Sequence, residues 1–130
     1  MRFLKSVVGI GLLAAFAAPA GADVPLGLWQ STPDRSGLVV HVRTKPCGSA
    51  VCGQIERAKD RRGYDKPSTA VGRPILIDMK PDADGIYVGQ LWETDSNRLK
   101  NARMQVNGNV MRLENCDGAA CKKVVWTRLR

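Results

Sequence analysis

Four cysteines stand in two pairs of identical spacing, Cys47 and Cys52 in PCGSAVC and Cys116 and Cys121 in NCDGAAC. Such pairs can hold a structural zinc, form a redox couple or close as disulfides. A redox couple needs a low-pKa thiol, usually at a helix start in C-x-x-C spacing, and neither pair has that spacing. Zinc or disulfide then depends on the compartment, because an oxidising environment pairs thiols that the cytosol would keep reduced. Each pair brackets turn-forming residues, GSAV and DGAA. If each flanks a hairpin loop, its cysteines face one another across an antiparallel pair at about 4.5 to 5.5 Å, within disulfide reach. The expected bridges are therefore Cys47–Cys52 and Cys116–Cys121, with crosswise pairing and zinc as the alternatives.

Other chemistry is sparse. His41, the single histidine, sits in an alternating strand pattern with Arg43 two positions on, and no G-x-S-x-G elbow accompanies it. It reads as a surface strand residue. Glu56, Glu93 and Glu114 fall on expected strands and would form an acid pair only by converging inside the fold; solvent-facing positions are the expectation. DADG at 82–85 begins like a calcium loop but lacks the later ligands, so a tight turn accounts for it. No catalytic residue, metal site or cofactor is assigned, and the chain reads as a non-enzyme.

The compartment is set at the start of the chain. MRFLK is a short basic head, SVVGIGLLAAFAAPA is an apolar stretch short for a membrane span, and AGA at 20–22 is a small-x-small end. Residues 1–22 read as a Sec-type signal peptide, which places the protein in the periplasm or outside the cell. No second apolar run follows, so no transmembrane segment is expected after cleavage. Losing Arg2 and Lys5 leaves eighteen basic and twelve acidic residues, a charge of +6 over 108 residues. That length suits a single domain, 23–130, with its own core. Basic charge with Trp92 and Tyr87 would fit nucleic acid, but export removes that partner; an anionic envelope surface is the better match.

The remaining sequence alternates in short runs separated by turn signals every eight to twelve residues, which is an all-β pattern. The runs are LGLWQ, GLVVHVRTK, CGQIERAK, RPILIDMK, IYVGQLWE, RLKNARMQV, NVMRLENC and CKKVVWTRL. GLVVHVRTK sets Val40, Val42 and Thr44 on one face. RPILIDMK sets Ile75, Ile77 and Met79 on one face by strict alternation. PDADG, TDSN and NGN mark turns, with Asn107 and Gly108 suited to a two-residue hairpin. Eight antiparallel strands can close into an up-and-down barrel with no free edge and a small interior. One connection, 60–72, is too long for a hairpin. With Arg57, Lys59, Arg61, Arg62 and Lys66 in and beside it, against Asp60 and Asp65, it reads as a basic lid or a solvated crossover.

GLWQ, PCGSAVCGQI, GRPIL and VVWTRL, in that order, resemble the bacterial exported family known as domain of unknown function 2147. The resemblance implies a small lipocalin-like barrel of unassigned biochemical role. It departs in the compact YDKPSTAV before GRP and in LENCDG, where a glycine-containing segment is usual. G-L-W near the start and Arg128 near the end also look like the calycin closure, which implies a cation–π contact between Trp29 and Arg128. On fold analogy the barrel would bind a small hydrophobic or anionic ligand. The lining expected from alternation is Val40, Val42, Ile75, Ile77, Val88, Trp92, Met104 and Trp126, with Arg61 and Arg62 at a lid. The alternative is a filled barrel that docks on an envelope surface or protein partner through the basic loop.

Overall fold

The structure, a computed structural model, describes residues 24–130; the expected signal peptide at 1–22 lies outside the described residues. The alternating runs form eight strands: β1 Gly27–Gln30, β2 Val39–Cys47, β3 Ala50–Lys59, β4 Pro74–Pro81, β5 Ile86–Glu93, β6 Arg98–Asn107, β7 Val110–Asp117 and β8 Ala120–Arg128. Each pairs antiparallel with the next, and β8 returns to β1 to close the barrel. Period-2 alternation carries the core, because successive side chains point to opposite faces. On β6 and β7, Ala102, Met104 and Val106 lie opposite Asn115, Leu113 and Met111, and all six are buried.

Both local disulfides are formed, and among the described residues no cysteine is free. Their sulfurs are thus unavailable as zinc thiolates. Cys116 and Cys121 face one another directly, with Cα atoms 4.0 Å apart. Cys47 and Cys52 do not: Cys47 opposes Ala50 and Cys52 opposes Lys45, so that bridge runs diagonally over 5.8 Å between Cα atoms. The cause is turn placement, since the loop begins directly after Cys47 but two residues after Cys116. The β2–β3, β6–β7 and β7–β8 hairpins each have a two-residue loop opened by Gly48, Gly108 or Gly118, with φ of 66°, 59° and 67°. Asn107 is accordingly the last residue of β6, and the β6–β7 loop is 108–109, one position later than expected. Among the described residues, 83–85 form a short 3-10 turn, in place of a calcium loop.

Strict alternation fails on β4. Ile77 opposes Gln90 and Lys80 opposes Val88, so Asp78 and Met79 together face Gly89. Asp78 takes φ 48° to make this bulge. Gly89 is required opposite it, since a Cβ there would lie 2.6 Å from the carbonyl oxygens of Ile77 and Asp78. The bulge turns Leu76 and Met79 into the core, both fully buried, and leaves Ile77 half-buried.

Closure is short. β1 and β8 share only the pairs Trp29–Arg128 and Gln30–Thr127. The Arg128 guanidinium lies 4.3 Å from the Trp29 ring centroid and donates to the carbonyls of Leu26 and Val24, both at 2.8 Å, and twice to that of Gly108. Trp29 Nε1 donates to the Pro25 carbonyl at 3.0 Å. Gly27, at φ 145°, lets the chain pass beneath, for a Cβ there would meet the Arg130 carbonyl oxygen at 2.5 Å. A lysine would keep the charge but could not hold three carbonyls from one plane. Arg128→Lys should therefore cost about 2 to 4 kcal/mol from lost charge-assisted hydrogen bonds and ring contact. Urea unfolding should show this as a lower midpoint at unchanged slope.

Candidate ligand-binding site

The Trp29–Arg128 end carries the turns at 48–49 and 108–109. The opposite end carries the connections 31–38, 60–73 and 94–97 and the turn at 118–119. A cavity of about 290 Å³ opens there. Its apolar walls include Val40, Ile75, Leu91, Trp92, Val124 and Trp126; Ser31, Thr32, Asp34, Arg35, Thr94 and Asp95 from the two mouth connections make a polar rim, and Glu93, Asn115 and Lys122 form a polar corner.

The corner groups come from neighbouring strands. Glu93 on β5, 9 % exposed, accepts from Ser96 Oγ at 2.8 Å and pairs with Lys100 Nζ of β6 at 3.0 Å. Lys122 Nζ of β8 lies 3.7 Å from its other oxygen, and Asn115 Nδ2 of β7 donates to that oxygen at 3.4 Å. Burial raises the Glu93 pKa, but the Ser96 and Lys100 hydrogen bonds and the charges of Lys100 and Lys122 outweigh it, leaving the pKa below its ordinary value. Asn115 and Lys122 are register partners one rung from Cys116–Cys121, so the disulfide braces the hairpin end that presents them.

Asn115 is 3 % exposed, and its Oδ1 has no hydrogen-bond partner. The amide orientation follows from chemistry: the carboxylate of Glu93 needs the NH₂ beside it, so the carbonyl oxygen is left over.

The 31–38 connection at the mouth is knotted around Asp34. Its carboxylate accepts from the backbone N–H groups of Ser36 and Leu38 and from the hydroxyls of Ser36 and Thr94. Burial raises the Asp34 pKa, yet these hydrogen bonds carry it below the usual range. The Thr94 bond ties this loop to the β5–β6 connection across the mouth.

Of the residues expected to line the interior, Val40, Ile75, Trp92 and Trp126 line this cavity. Val42 and Met104 are fully buried in packed core outside its lining. Ile77 and Val88 do not line it: the β4 bulge displaces Ile77, and Val88, 40 % exposed, lies on the outer face. Trp92 also carries Arg73 stacked 3.9 Å from its ring centroid and donates to Asn97 Oδ1 at 2.9 Å.

Arg61 and Arg62 are exposed and absent from the cavity lining. Arg61 packs beside Gly37, and Arg62 lies 3.7 Å from Asp60 and 5.3 Å from the Tyr64 ring centroid. Arg57 and Lys59 pair with Asp65 at 2.8 and 3.2 Å. The 60–73 connection folds back along β3, where Lys66 N–H meets the Ala58 carbonyl and Gly72 N–H the Ile55 carbonyl, so it covers a strand edge.

The three glutamates do not converge. Glu56 pairs with Arg43 at 3.0 Å, and Glu114 sits outside on β7 between Arg103 and Lys123 in register. Glu93 faces inward, contrary to the solvent-facing expectation. His41 is half-buried, with Nε2 2.9 Å from Gln30 Oε1; burial and then Lys59 and Arg57 hold its pKa below the ordinary value.

Sequence reasoning passed over Lys100, Asn115 and Lys122. The signal was present, since Lys100 shares alternation with Ala102 and Met104, Asn115 with Leu113, and Lys122 with Val124 and Trp126.

Because Glu93 has a lowered pKa in the folded protein, its stabilisation is present above its unfolded pKa and is lost as pH falls through the folded value. Glu93→Gln should cost about 1 to 3 kcal/mol at neutral pH. It should also flatten, without abolishing, the acid limb of stability below about pH 4.5, Asp34 supplying part of the remainder. Urea midpoints measured from pH 7 to pH 3 for both proteins read the difference.

A search of the curated proteins finds no match. Among solved structures, the chain is similar to the Helicobacter pylori protein HP1028, described as belonging to the lipocalin family. The TM-score is 0.63 at 16 % identity, covering 81 % of this chain and 82 % of that one. At this identity the likeness shows the fold, a lipocalin-like barrel. The family described as "Uncharacterized protein conserved in bacteria (DUF2147)" matches residues 27–128, from the glycine beneath the closure to the arginine that makes it. The chain belongs to the DUF2147 family of bacterial proteins.

Proposed function

We propose that the protein is an exported, non-catalytic binder of a small, largely apolar molecule held in the mouth of the barrel. The observation that carries this reading is the cavity itself, walled by Val40, Leu91, Trp92 and Trp126 and open at one end only of a closed sheet. Its volume, about 290 Å³, falls near the lower limit of ligand sites, and the apolar walls with Glu93, Asn115 and Lys122 converging at one corner inside a polar rim supply both burial and orientation. Export is supported by the signal-like residues 1–22 and by two disulfides suited to an oxidising compartment. Among the described residues, no helix is long and apolar enough to cross a membrane. A non-catalytic role fits the dispersal of the glutamates, which removes the acid pair that hydrolysis would use.

The rival reading, docking through the basic loop, has less support, because Arg57, Lys59 and Arg62 are engaged by Asp65 and Asp60 within the loop, although the segment keeps a net positive charge.

Native mass spectrometry of protein purified from its own periplasm should show an adduct of small-molecule mass that disappears on denaturation. Val124→Trp, which fills the mouth from a half-buried position, should fold with an unchanged far-UV spectrum and lose the adduct. An adduct retained at the same level in that variant would place it elsewhere.

A further inference from the structure

The cavity's polar corner is asymmetric in a way that specifies a ligand head group, provided that the binding reading above holds. Glu93 pairs there with Lys100 and Lys122, a triad of net charge +1, and the remaining charged lining is already engaged, Asp34 by Ser36, Leu38 and Thr94 and Asp95 by Arg35. Lys100 is held at 3.0 Å, whereas Lys122 reaches Glu93 only at 3.7 Å and its side chain is half exposed, so it retains donors for another acceptor. Beside it Asn115 offers the opposite: a buried carbonyl oxygen with no donor, its NH₂ committed to Glu93. An acceptor left unpaired in this environment costs free energy that a ligand donor would recover.

A head group that accepts from Lys122 and donates to Asn115 satisfies both. A carboxylate cannot, because it has no proton to give and sets its charge against Asn115 Oδ1 and Glu93. An ammonium cannot either, because it has no lone pair with which to accept from Lys122. A hydroxyl does both with a single oxygen. For the body, a dry cavity of about 150 Å³ holds one benzene ring, and this one, at about 290 Å³ between Trp92 and Trp126, has room for two fused rings. The geometry points to a neutral hydroxyaryl ligand, its ring among the apolar walls and its hydroxyl bridging Lys122 and Asn115.

Three soluble probes of one shape separate the possibilities: 2-naphthol, which donates and accepts; 2-methoxynaphthalene, which only accepts; and 2-naphthoate, which is an anion. Titrated into ¹⁵N-labelled protein, 2-naphthol should bind at least tenfold more tightly than the other two and shift the Asn115 side-chain NH₂ resonances. Asn115→Leu should remove the preference over 2-methoxynaphthalene while leaving the latter's affinity unchanged. Lys122→Met, at a half-exposed position that folding tolerates, should weaken both neutral probes alike, since both accept.

Equal affinity of 2-naphthol and 2-methoxynaphthalene in the unmodified protein would mean that water completes Asn115, and would overturn the assignment. Tighter binding of 2-naphthoate would overturn it in favour of an anion read by Lys122. Failure of all three to bind would sink the cavity reading itself, and this inference with it.

Discussion

A sheet of eight strands escapes exposed edges only if the last strand finds the first, and here that meeting rests on two ladder pairs, the backbone bonds of Leu28 with Leu129 and Arg130, and one guanidinium. β1 is four residues long, too short to hold β8 by its ladder. Arg128 supplies the missing cohesion by gathering the carbonyls of Val24, Leu26 and Gly108, from the N-terminal approach and from the β6–β7 turn, while its face covers Trp29. A planar cation with several fixed donors can do this because the carbonyls converge on it and water is displaced by the indole. Thr44 adds its hydroxyl to the Pro25 and Gly27 carbonyls, so the incoming segment is bound from both sides. With this end sealed, the interior can stay open at the other.

The two ends differ in how their polar groups are satisfied. At the sealed end the carbonyls meet a cation. At the mouth a buried carboxylate is neutralised by two lysines, a serine and an amide, and one amide oxygen is left over. Buried charge of this kind is retained only when its partners are held in place, since desolvation of an unpaired carboxylate would outweigh the packing gained. One covalent and one hydrogen-bonded restraint do the holding. Cys116–Cys121 sits one rung above Asn115 and Lys122, and the Asp34 knot fixes the 31–38 loop to Thr94. The mouth is thus a preorganised rim, while the long basic connection lies along β3 and leaves the opening free.

Much was legible in the chain alone, because the signals are local. Alternation with period two marks the eight strands and places Val40, Trp126 and the lysines of the polar rung on inward faces; glycine-containing turn sequences mark three hairpins, though not the register of the NGN turn. Cysteines five apart across such a turn have few places to go but each other. Gly27-x-Trp29 and Arg128, at opposite ends of the chain, are legible only as a resemblance, since nothing local links them.

Tertiary structure decided what depends on two strands at once. The β4 bulge exists because Asp78 and Met79 share one partner, Gly89, and a glycine in a strand does not announce which neighbour bends over it. That single extra residue moved Ile77 out and Leu76 in. The charge of the 57–66 segment was visible in composition, but the pairing of Arg57 and Lys59 with Asp65 required the chain to fold back on itself. The inward carboxylate was likewise undecidable, because burying Glu93 is affordable only once Lys100 and Lys122 arrive from two other strands. Sequence by itself determined the strand set, the staples and the family; the third dimension alone decided where the opening lies and which polar atom within it remains unpaired, because both depend on the meeting of side chains far apart along the chain.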